Sequence, residues 1–517
     1  MSFLHDRDFS ALPSIPEYFK GKTVFLTGGS GFIGKVLIEK LLRCCPDIDA
    51  IYVLMRGKGD SSPEKRKEEI YKLECFDVLR VIKPGIFESK VFIIPGDVTE
   101  YNLGMSDDDY ALVVNKTNIF VHSAASVRFN DNLKIAAKLN LLGTKHALDL
   151  AKEMRNLESF IHVSTAYSNK IQNPLQETLY PPVLDWRELL EMCQLDDHTI
   201  QVLTPKIIDE LPNTYVITKH CAEQMVYEER GNLPIVIARP SIVINSVKEP
   251  VPGWNDNFNG PVGIIVALAT GLSSILYVDP EVRSDYAPVD LVTRAIISVA
   301  WARGTKKFQP SDDIPIYNMC GGGYFNLTPV DLYEHSKQPL VEMPLADVIL
   351  PPSFKFTNSK LVFTFEVLWS RLFLYALIDY IFVLASKKPR LLKLLRRLYM
   401  ACISLEKFSC KNWSFRIDNV RELSSKLKPE DVDEFKYAIE NIDLDKYMHT
   451  SVYGARKYVI RQRTDNSEEL RTKQFRLKIF VMGLKMVLFA FLMWFVITSN
   501  TTQKFLSKIS DELLVFV

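Results

Sequence analysis

The sequence predicts an α/β protein: a Rossmann-type, doubly wound parallel sheet, then a mostly helical C-terminal region, then a C-terminal transmembrane helix. Short apolar, β-rich runs alternate with helical patterns over the first half of the chain, the signature of parallel βαβ units. The first run, Thr23–Thr27, passes directly into Gly28-Gly29-Ser30-Gly31-Phe32-Ile33-Gly34 and then into an amphipathic pattern over Lys35–Leu42. Near the other end, Ile479–Thr498 is a twenty-residue apolar stretch with one charge, Lys485. As a helix it would be ~30 Å long, the thickness of a bilayer's hydrocarbon core.

A chain of 517 residues holds two or more domains at ~150 residues each. The formal net charge of +1 gives no electrostatic argument for nucleic acid, and no such partner is expected. The eight cysteines contain no C-x-x-C spacing and read as reduced thiols filling a core. Met1–Pro13 carries His5, Asp6, Arg7 and Asp8, so no cleaved secretory signal is expected.

Thr23–Thr27 reads as the first buried strand. Gly28 permits the tight turn after it, Gly31 lets the backbone approach a pyrophosphate, and Gly34 lets the helix pack close. The helix N-terminus offers N–H groups and partial positive charge to phosphates. In this context the glycine run is a dinucleotide site rather than a plain turn. Ala50–Met55 is the second strand, ending at Arg56 with Lys58 just beyond. An acidic residue there would hold the ribose hydroxyls of NAD. Two cations suit a 2′-phosphate, so the expected cofactor is NADPH, the alternative being a solvated loop. Ser61–Lys72 reads as a charged surface helix. Val91–Pro95 is the third strand, followed by Gly96-Asp97-Val98, where Asp97 either accepts from an adenine amine or caps the next turn.

Asn118–His122 is the fourth strand, running into Ser123-Ala124-Ala125-Ser126, small residues that let a cofactor lie against the backbone. Ser159–Val163 is the fifth, ending in Ser164-Thr165-Ala166-Tyr167. Asn213–Glu229 is helical, and Ile235–Arg239 is the sixth strand, closed by Pro240. Ligands of such folds bind beyond the carboxyl ends of the strands, where Thr27, Asp97 and Thr165 lie.

Tyr215 and Lys219 are four apart on the Asn213–Glu229 helix and share a face. An ammonium beside a phenol is expected to lower the phenol's pKa towards neutrality, which makes Tyr215 a proton donor to a carbonyl oxygen that receives hydride. Thr165 would hold the same oxygen. Ser164 should point to the opposite side of its strand.

Taken together, T-G-G-S-G-F-I-G (27–34), H-S-A-A-S-V-R-F (122–129), N-L-L-G-T (140–144), H-V-S-T-A-Y (162–167) and Y-V-I-T-K (215–219) resemble an extended short-chain dehydrogenase/reductase. S-I-P-E-Y-F (14–19), R-P-S-I-V (239–243) and E-P-V-P-G-W-N-D-N-F-N-G-P (249–261) narrow the resemblance to the eukaryotic fatty acyl-CoA reductases. That resemblance implies NADPH-dependent reduction of a long-chain acyl-CoA to a primary alcohol through an aldehyde, with Tyr215, Lys219 and Thr165 catalytic. It implies a cofactor site on Thr27, Gly28, Gly29, Ser30, Gly31, Phe32, Ile33, Gly34, Arg56, Lys58, Asp97 and Val98, continuing over Ser123, Ala124, Ala125, Tyr215, Lys219 and Pro240. Asn140 either orients a water or the helix near Lys219, or is a buried amide satisfied by backbone. The rival activities are a reductase that stops at the aldehyde and a sterol or hydroxysteroid dehydrogenase. A non-catalytic scaffold is disfavoured by the intact Thr165, Tyr215 and Lys219.

Trp254–Gly271, with its glycines and prolines, reads as a loop framing the substrate mouth, and Asp285–Asp290 as a return to the core. The expected divisions are a reductase domain over 14–350, a helical region over 351–470, the membrane helix over 479–498 and a tail over 499–517. Val362–Ala385 is apolar but contains Glu366, Arg371 and Asp379, which argues against a simple crossing and for an amphipathic or buried helix over the acyl chain. Pro389–Met400 places Arg390, Lys393 and Arg397 near one face, suited to anionic lipid, to CoA phosphates or simply to water. Arg471, Lys473, Arg476 and Lys478 crowd the entry to Ile479–Thr498, which predicts a tail anchor in a lipid membrane with the catalytic domain in the cytosol. Peroxisome and endoplasmic reticulum both take such anchors. Asn500-Thr501-Thr502 matches a glycosylation sequon.

Overall fold

The computed structural model describes residues 9–57, 59, 61–129, 131–170, 173–208, 211–258, 261–306, 313–462 and 466–498. Lys58, the side chain of Lys485, the N-terminal residues His5 to Asp8, the tail 499–517 with its sequon, and Asn259-Gly260 of the substrate stretch lie outside the described residues.

Seven parallel strands make the central sheet: β1 (Thr23–Thr27), β2 (Ala50–Met55), β3 (Val91–Pro95), β4 (Ile119–His122), β5 (Ser159–Val163), β6 (Ile235–Pro240) and β7 (Ile316–Met319). Their spatial order is 3-2-1-4-5-6-7. Thr27 is in register with Leu54 on one side and His122 on the other, so the chain reverses direction across the sheet at β1 and opens a crevice there. Six strands fall where the sequence places them; β7 was not expected.

β1 is buried along its whole length. Its alternate residues feed two cores, as a strand covered on both faces must. Phe25 stacks towards Phe120 of β4 at 4.8 Å, and Phe120 meets Phe160 of β5 at 4.9 Å. Val24 and Leu26 face the other way, into a cluster with Val36, Leu37 and Leu41 of α1 (Phe32–Cys44). The helix expected at Asn213–Glu229 is α2 (Thr214–Glu228), with Asn213 as its cap. Ser284–Pro288 returns as a strand and leads into the buried helix α3 (Val289–Gly304), which packs beside α1.

The stretch read as a substrate loop is only partly one. Trp254 is buried, and Pro261–Ala269 is a helix whose run is nearly all apolar. The C-terminal region divides its contacts. Phe408, Trp413, Phe415, Phe435 and Tyr437 belong to the same core as α1 and β1, whereas Phe363, Val367, Tyr375, Leu391 and Leu395 form a separate cluster with Leu268 and Ile275–Tyr277.

Among the described residues two helices are long and apolar enough to cross a membrane, Lys360–Leu384 and Ser467–Phe495. The second lies in one continuous helix, Ser467–Thr498, which begins well before the apolar stretch and carries the basic flank in its first turns. The first contains a π-type turn at Leu368–Leu372. Its charges do not argue against an apolar surface, because Arg371 and Asp379 are buried on the inward side.

Candidate active site

The glycine turn is shaped by close backbone packing. Gly28 sits at φ +77°, and a Cβ there would lie 2.7 Å from the Ser123 carbonyl carbon. A Cβ on Gly34 would lie 2.4 Å from the Gly28 carbonyl oxygen. Only glycine lets the turn rest on the end of β4 and lets α1 rest on the turn. Gly31 is the N-cap of α1 and offers no side chain to its first N–H groups, so the helix end carries no side-chain cap. Thr27 is drawn into the scaffold: its hydroxyl meets His122 Nδ1 at 2.9 Å and accepts from the Ala124 N–H at 3.3 Å. Burial pushes His122 down to about 3, so this imidazole is neutral.

At the far end of the crevice Arg56 pairs with Asp97 at 3.0 Å. The other Asp97 oxygen accepts from the Thr99 N–H at 3.0 Å, so Asp97 does cap its turn. Burial opposes ionisation of Asp97, but Thr99 and Arg56 outweigh it and hold the carboxyl below its usual range. Val98 is buried, and its carbonyl accepts from His146 Nδ1 at 3.0 Å. A residue missed in the sequence lies here. Arg66, on the helix Pro63–Tyr71, donates to the Ser30 hydroxyl at 3.2 Å and to the Arg56 carbonyl. Burial, then the neighbouring Arg56 charge, lowers its pKa. Arg66 thus brings a second guanidinium close to that of Arg56, and the two make this edge of the crevice electropositive. Bare backbone at Gly28, an uncapped helix end and paired arginines fit a dinucleotide.

The start of α2 is fixed by Asn213, which accepts from the Val216 N–H at 3.0 Å, and by the Thr214 hydroxyl, which donates to the Asp131 carbonyl at 3.0 Å. Lys219 Nζ donates to the Val163 carbonyl at 2.7 Å, at the end of β5. Tyr215 lies near enough to Thr165 for that hydroxyl to pull its pKa down. The expected lowering of the phenol's pKa is not found. Burial raises Tyr215 to about 12, against the opposing Thr165 hydrogen bond, and Lys219 contributes no offsetting pull. The reason is geometric: the ammonium is turned to the Val163 carbonyl, and burial lowers Lys219 itself to about 8. Ser164 is buried, and its hydroxyl contributes to holding the Glu223 carboxyl low, whereas Thr165 acts on Tyr215.

Asn140 is fully buried in a π-type turn, Lys138–Leu142. It accepts from the Ser126 N–H at 2.8 Å and donates to the Ser126 carbonyl at 3.3 Å and to the Thr218 hydroxyl at 3.1 Å. It is a backbone-satisfied amide and also a brace between the Ser123–Ser126 loop and α2. Sequence reading also missed Glu223, one turn beyond Lys219. Burial disfavours its charge, but the Arg239 guanidinium, at 3.0 and 2.6 Å, keeps it ionised.

An aromatic wall stands over these groups. Phe129 is 5.6 Å from the Tyr215 ring and 5.5 Å from Phe408. Tyr167 contacts Phe408, Trp413 and Phe415 at 5.2, 4.9 and 5.1 Å. Leu175 holds this C-terminal segment in place, its N–H donating to the Ser414 carbonyl at 2.8 Å and its carbonyl accepting from the Arg416 N–H at 2.9 Å. On the opposite rim Lys35 of α1 pairs with Asp256 of the substrate stretch.

Comparison with known proteins places this arrangement. Two family profiles described as male sterility protein match residues 26–296 and 371–462. Fatty acyl-CoA reductase 1 of Mus musculus and of Homo sapiens are each 36% identical over 450 residues, covering 87% of both chains. Fatty acyl-CoA reductase wat of Drosophila melanogaster is 34% identical over 483 residues, 92% of both chains. The terminal reductase domain of the myxalamid pathway superposes with a TM-score of 0.57 at 18% identity, covering 84% of this chain and 90% of that one. The reductase domain of a Mycobacterium tuberculosis nonribosomal peptide synthetase superposes at 0.55 and 18% identity, covering 88% and 98%. These structures show a shared fold. The sequence matches go further: this chain belongs to the fatty acyl-CoA reductase family and carries its nicotinamide-dinucleotide-binding reductase fold.

Proposed function

We propose that the protein reduces a long-chain fatty acyl-CoA to the primary alcohol, with release of CoA, through an aldehyde that is reduced again at the same site. Beside membership of the family, the observation that carries this is the meeting of Thr165 and Tyr215 at the end of β5, with Lys219 one turn away, beneath an aromatic wall. When bound, the reduced cofactor supplies hydride to the thioester carbon and, from a second molecule, to the aldehyde carbon. Tyr215 gives its Oη proton to the substrate oxygen, held in line by the Thr165 hydroxyl. In the first round the resulting hemithioacetal collapses, the C–S bond breaking as the oxygen gives up its proton and CoA leaves as the thiol. In the second the protonated oxygen is the alcohol. Lys219 fixes α2 against β5 through the Val163 carbonyl and keeps positive charge near the developing oxyanion. Phe129, Tyr167, Phe408 and Trp413 exclude water, which keeps the aldehyde from hydration between the two reductions.

The cofactor residues are those named from the sequence, with Arg66 added. Thr27, Val98 and Asp97 act by holding the crevice walls. The two arginines favour NADPH over NADH. The reductase domain runs over 14–350 and the helical region over 351–470. The helix through 479–498 is the tail anchor, its basic flank on the cytosolic side of a peroxisomal or endoplasmic reticulum membrane.

The test is product analysis with membranes carrying the full chain, acyl-CoAs of graded length and NADPH. Fatty alcohol with two NADPH consumed per thioester is expected; accumulating aldehyde with one consumed would overturn the two-step reading. Tyr215→Phe should lower turnover by about 10²- to 10⁴-fold while NADPH still binds. Undiminished turnover in that variant refutes the role given to Tyr215.

A further inference from the structure

The hairpin formed by Lys360–Leu384 and Leu391–Ser404 has an unusual surface. Phe363, Val367, Arg371, Tyr375 and Asp379, one every four residues, face inward and are buried. Asp379 accepts from the N–H groups of Arg390, Leu391 and Leu392 at 3.0, 3.1 and 2.9 Å, and Glu366 pairs with Lys355 at 3.2 Å. Arg371 and Asp379 are thereby kept off the outer side, and Glu366, part-buried, is neutralised by Lys355. Every exposed residue from Leu361 to Leu384 is apolar or, at Tyr380, aromatic with one hydroxyl. Phe365, Trp369 and Phe373 are 66%, 66% and 72% exposed. A continuous aromatic face of this kind does not belong in water.

Two further features say what covers it. The turn of the hairpin exposes Lys387, Lys388 and Arg390, and the first turn of its second helix exposes Lys393, charges complementary to lipid phosphates. Val481, in the apolar part of the C-terminal helix, packs on the cluster that the hairpin shares with Leu268, Ile275–Tyr277 and Leu350, so the hairpin and the start of that helix's apolar part border one apolar cluster. We propose that the hairpin is a second membrane contact. It lies in the surface of the phospholipid bilayer that takes the C-terminal helix, its aromatic face at the boundary of headgroups and acyl chains and its basic turn on the phosphates. This rests on reading the C-terminal helix as the anchor. It also gives the substrate a route. The Tyr375 hydroxyl donates to the Gly271 carbonyl at 2.9 Å, and Leu268 shares the hairpin's cluster, so the stretch at the substrate mouth is fastened to the lipid-facing element.

Full-length protein is reconstituted in phosphatidylcholine–phosphatidylserine vesicles whose acyl chains carry bromine near the headgroups. The emission of Trp369 is taken as the difference between the native chain and Trp369→Phe, and that of Trp494, in the C-terminal helix, as the difference from Trp494→Phe. Brominated lipid is expected to remove most of the Trp369 emission and aqueous iodide little of it. Quenching of Trp369 by iodide without quenching by lipid puts the face in water and overturns the proposal. Shielding from both means that protein, such as a second copy, covers it, and overturns the proposal equally. Lipid quenching of Trp494 alone sinks the hairpin but keeps the anchor, whereas an unquenched Trp494 sinks the anchor reading.

Discussion

Arg66 offers a quantitative test of the cofactor site. Its guanidinium bridges the Ser30 hydroxyl and the Arg56 carbonyl, while Arg56 is occupied by Asp97. Arg66 therefore has the freer charge for a 2′-phosphate. A hydrogen bond to a charged group contributes about 1.5–3 kcal/mol, so Arg66→Gln should lower kcat/KM with NADPH about 10- to 150-fold. With NADH, which lacks the phosphate, the same variant should change little. Arg66→Lys keeps the charge but loses the planar fork and should fall between the two. The assay is the initial rate of acyl-CoA reduction with each cofactor at subsaturating concentration. Equal losses with NADPH and NADH would mean that Arg66 merely props the glycine turn, and the phosphate assignment would be wrong.

Lys219 sets an alkaline limit. Its pKa is lowered by burial to about 8 while Tyr215 stays protonated to about 12; kcat/KM should decline as pH rises above about 8, and Lys219→Arg should move that decline upward in a pH–rate profile. Gly28→Ala places a methyl against backbone at a left-handed φ and should weaken NADPH binding about tenfold or more in a fluorescence titration. Glu249→Gln strips a carboxylate that holds Lys40 and the Arg294 Nε, each at 2.7 Å, in a mostly buried network. The lost stability should be about 3–5 kcal/mol, read from the denaturant midpoint of the full chain in detergent.

Why some of this was legible in the sequence is a matter of range. Thr23–Thr27 and the glycines are contiguous, and the Tyr215–Lys219 spacing is one helical turn, so local pattern carries them. β7 is four residues, Ile316–Met319, two of them Tyr and Asn, and is made a strand by pairing with β6 far upstream; no periodicity announces it. The spacing of Tyr215 and Lys219 shows a shared face but not that the ammonium turns to the Val163 carbonyl. Arg66 stands in a charged helix that reads as solvated, and its reach back to Ser30 is a tertiary fact, although the Lys65-Arg66-Lys67 run was a signal. In Val362–Ala385 the eight-residue spacing of Arg371 and Asp379, with Tyr375 midway, puts both charges on one stripe of the helix.

The wall over Tyr215 has a consequence for how such an enzyme diversifies. Its aromatic rings at 408, 413 and 415 come from a segment far downstream of Thr165, Tyr215, Lys219 and the glycine turn. Phe129 and Tyr167 come from the same stretch as Thr165 and Tyr215, but the rest of the wall is encoded well apart from them. Changes in the later stretch can re-size the chamber for longer, shorter or kinked tails while the reaction itself stays constant.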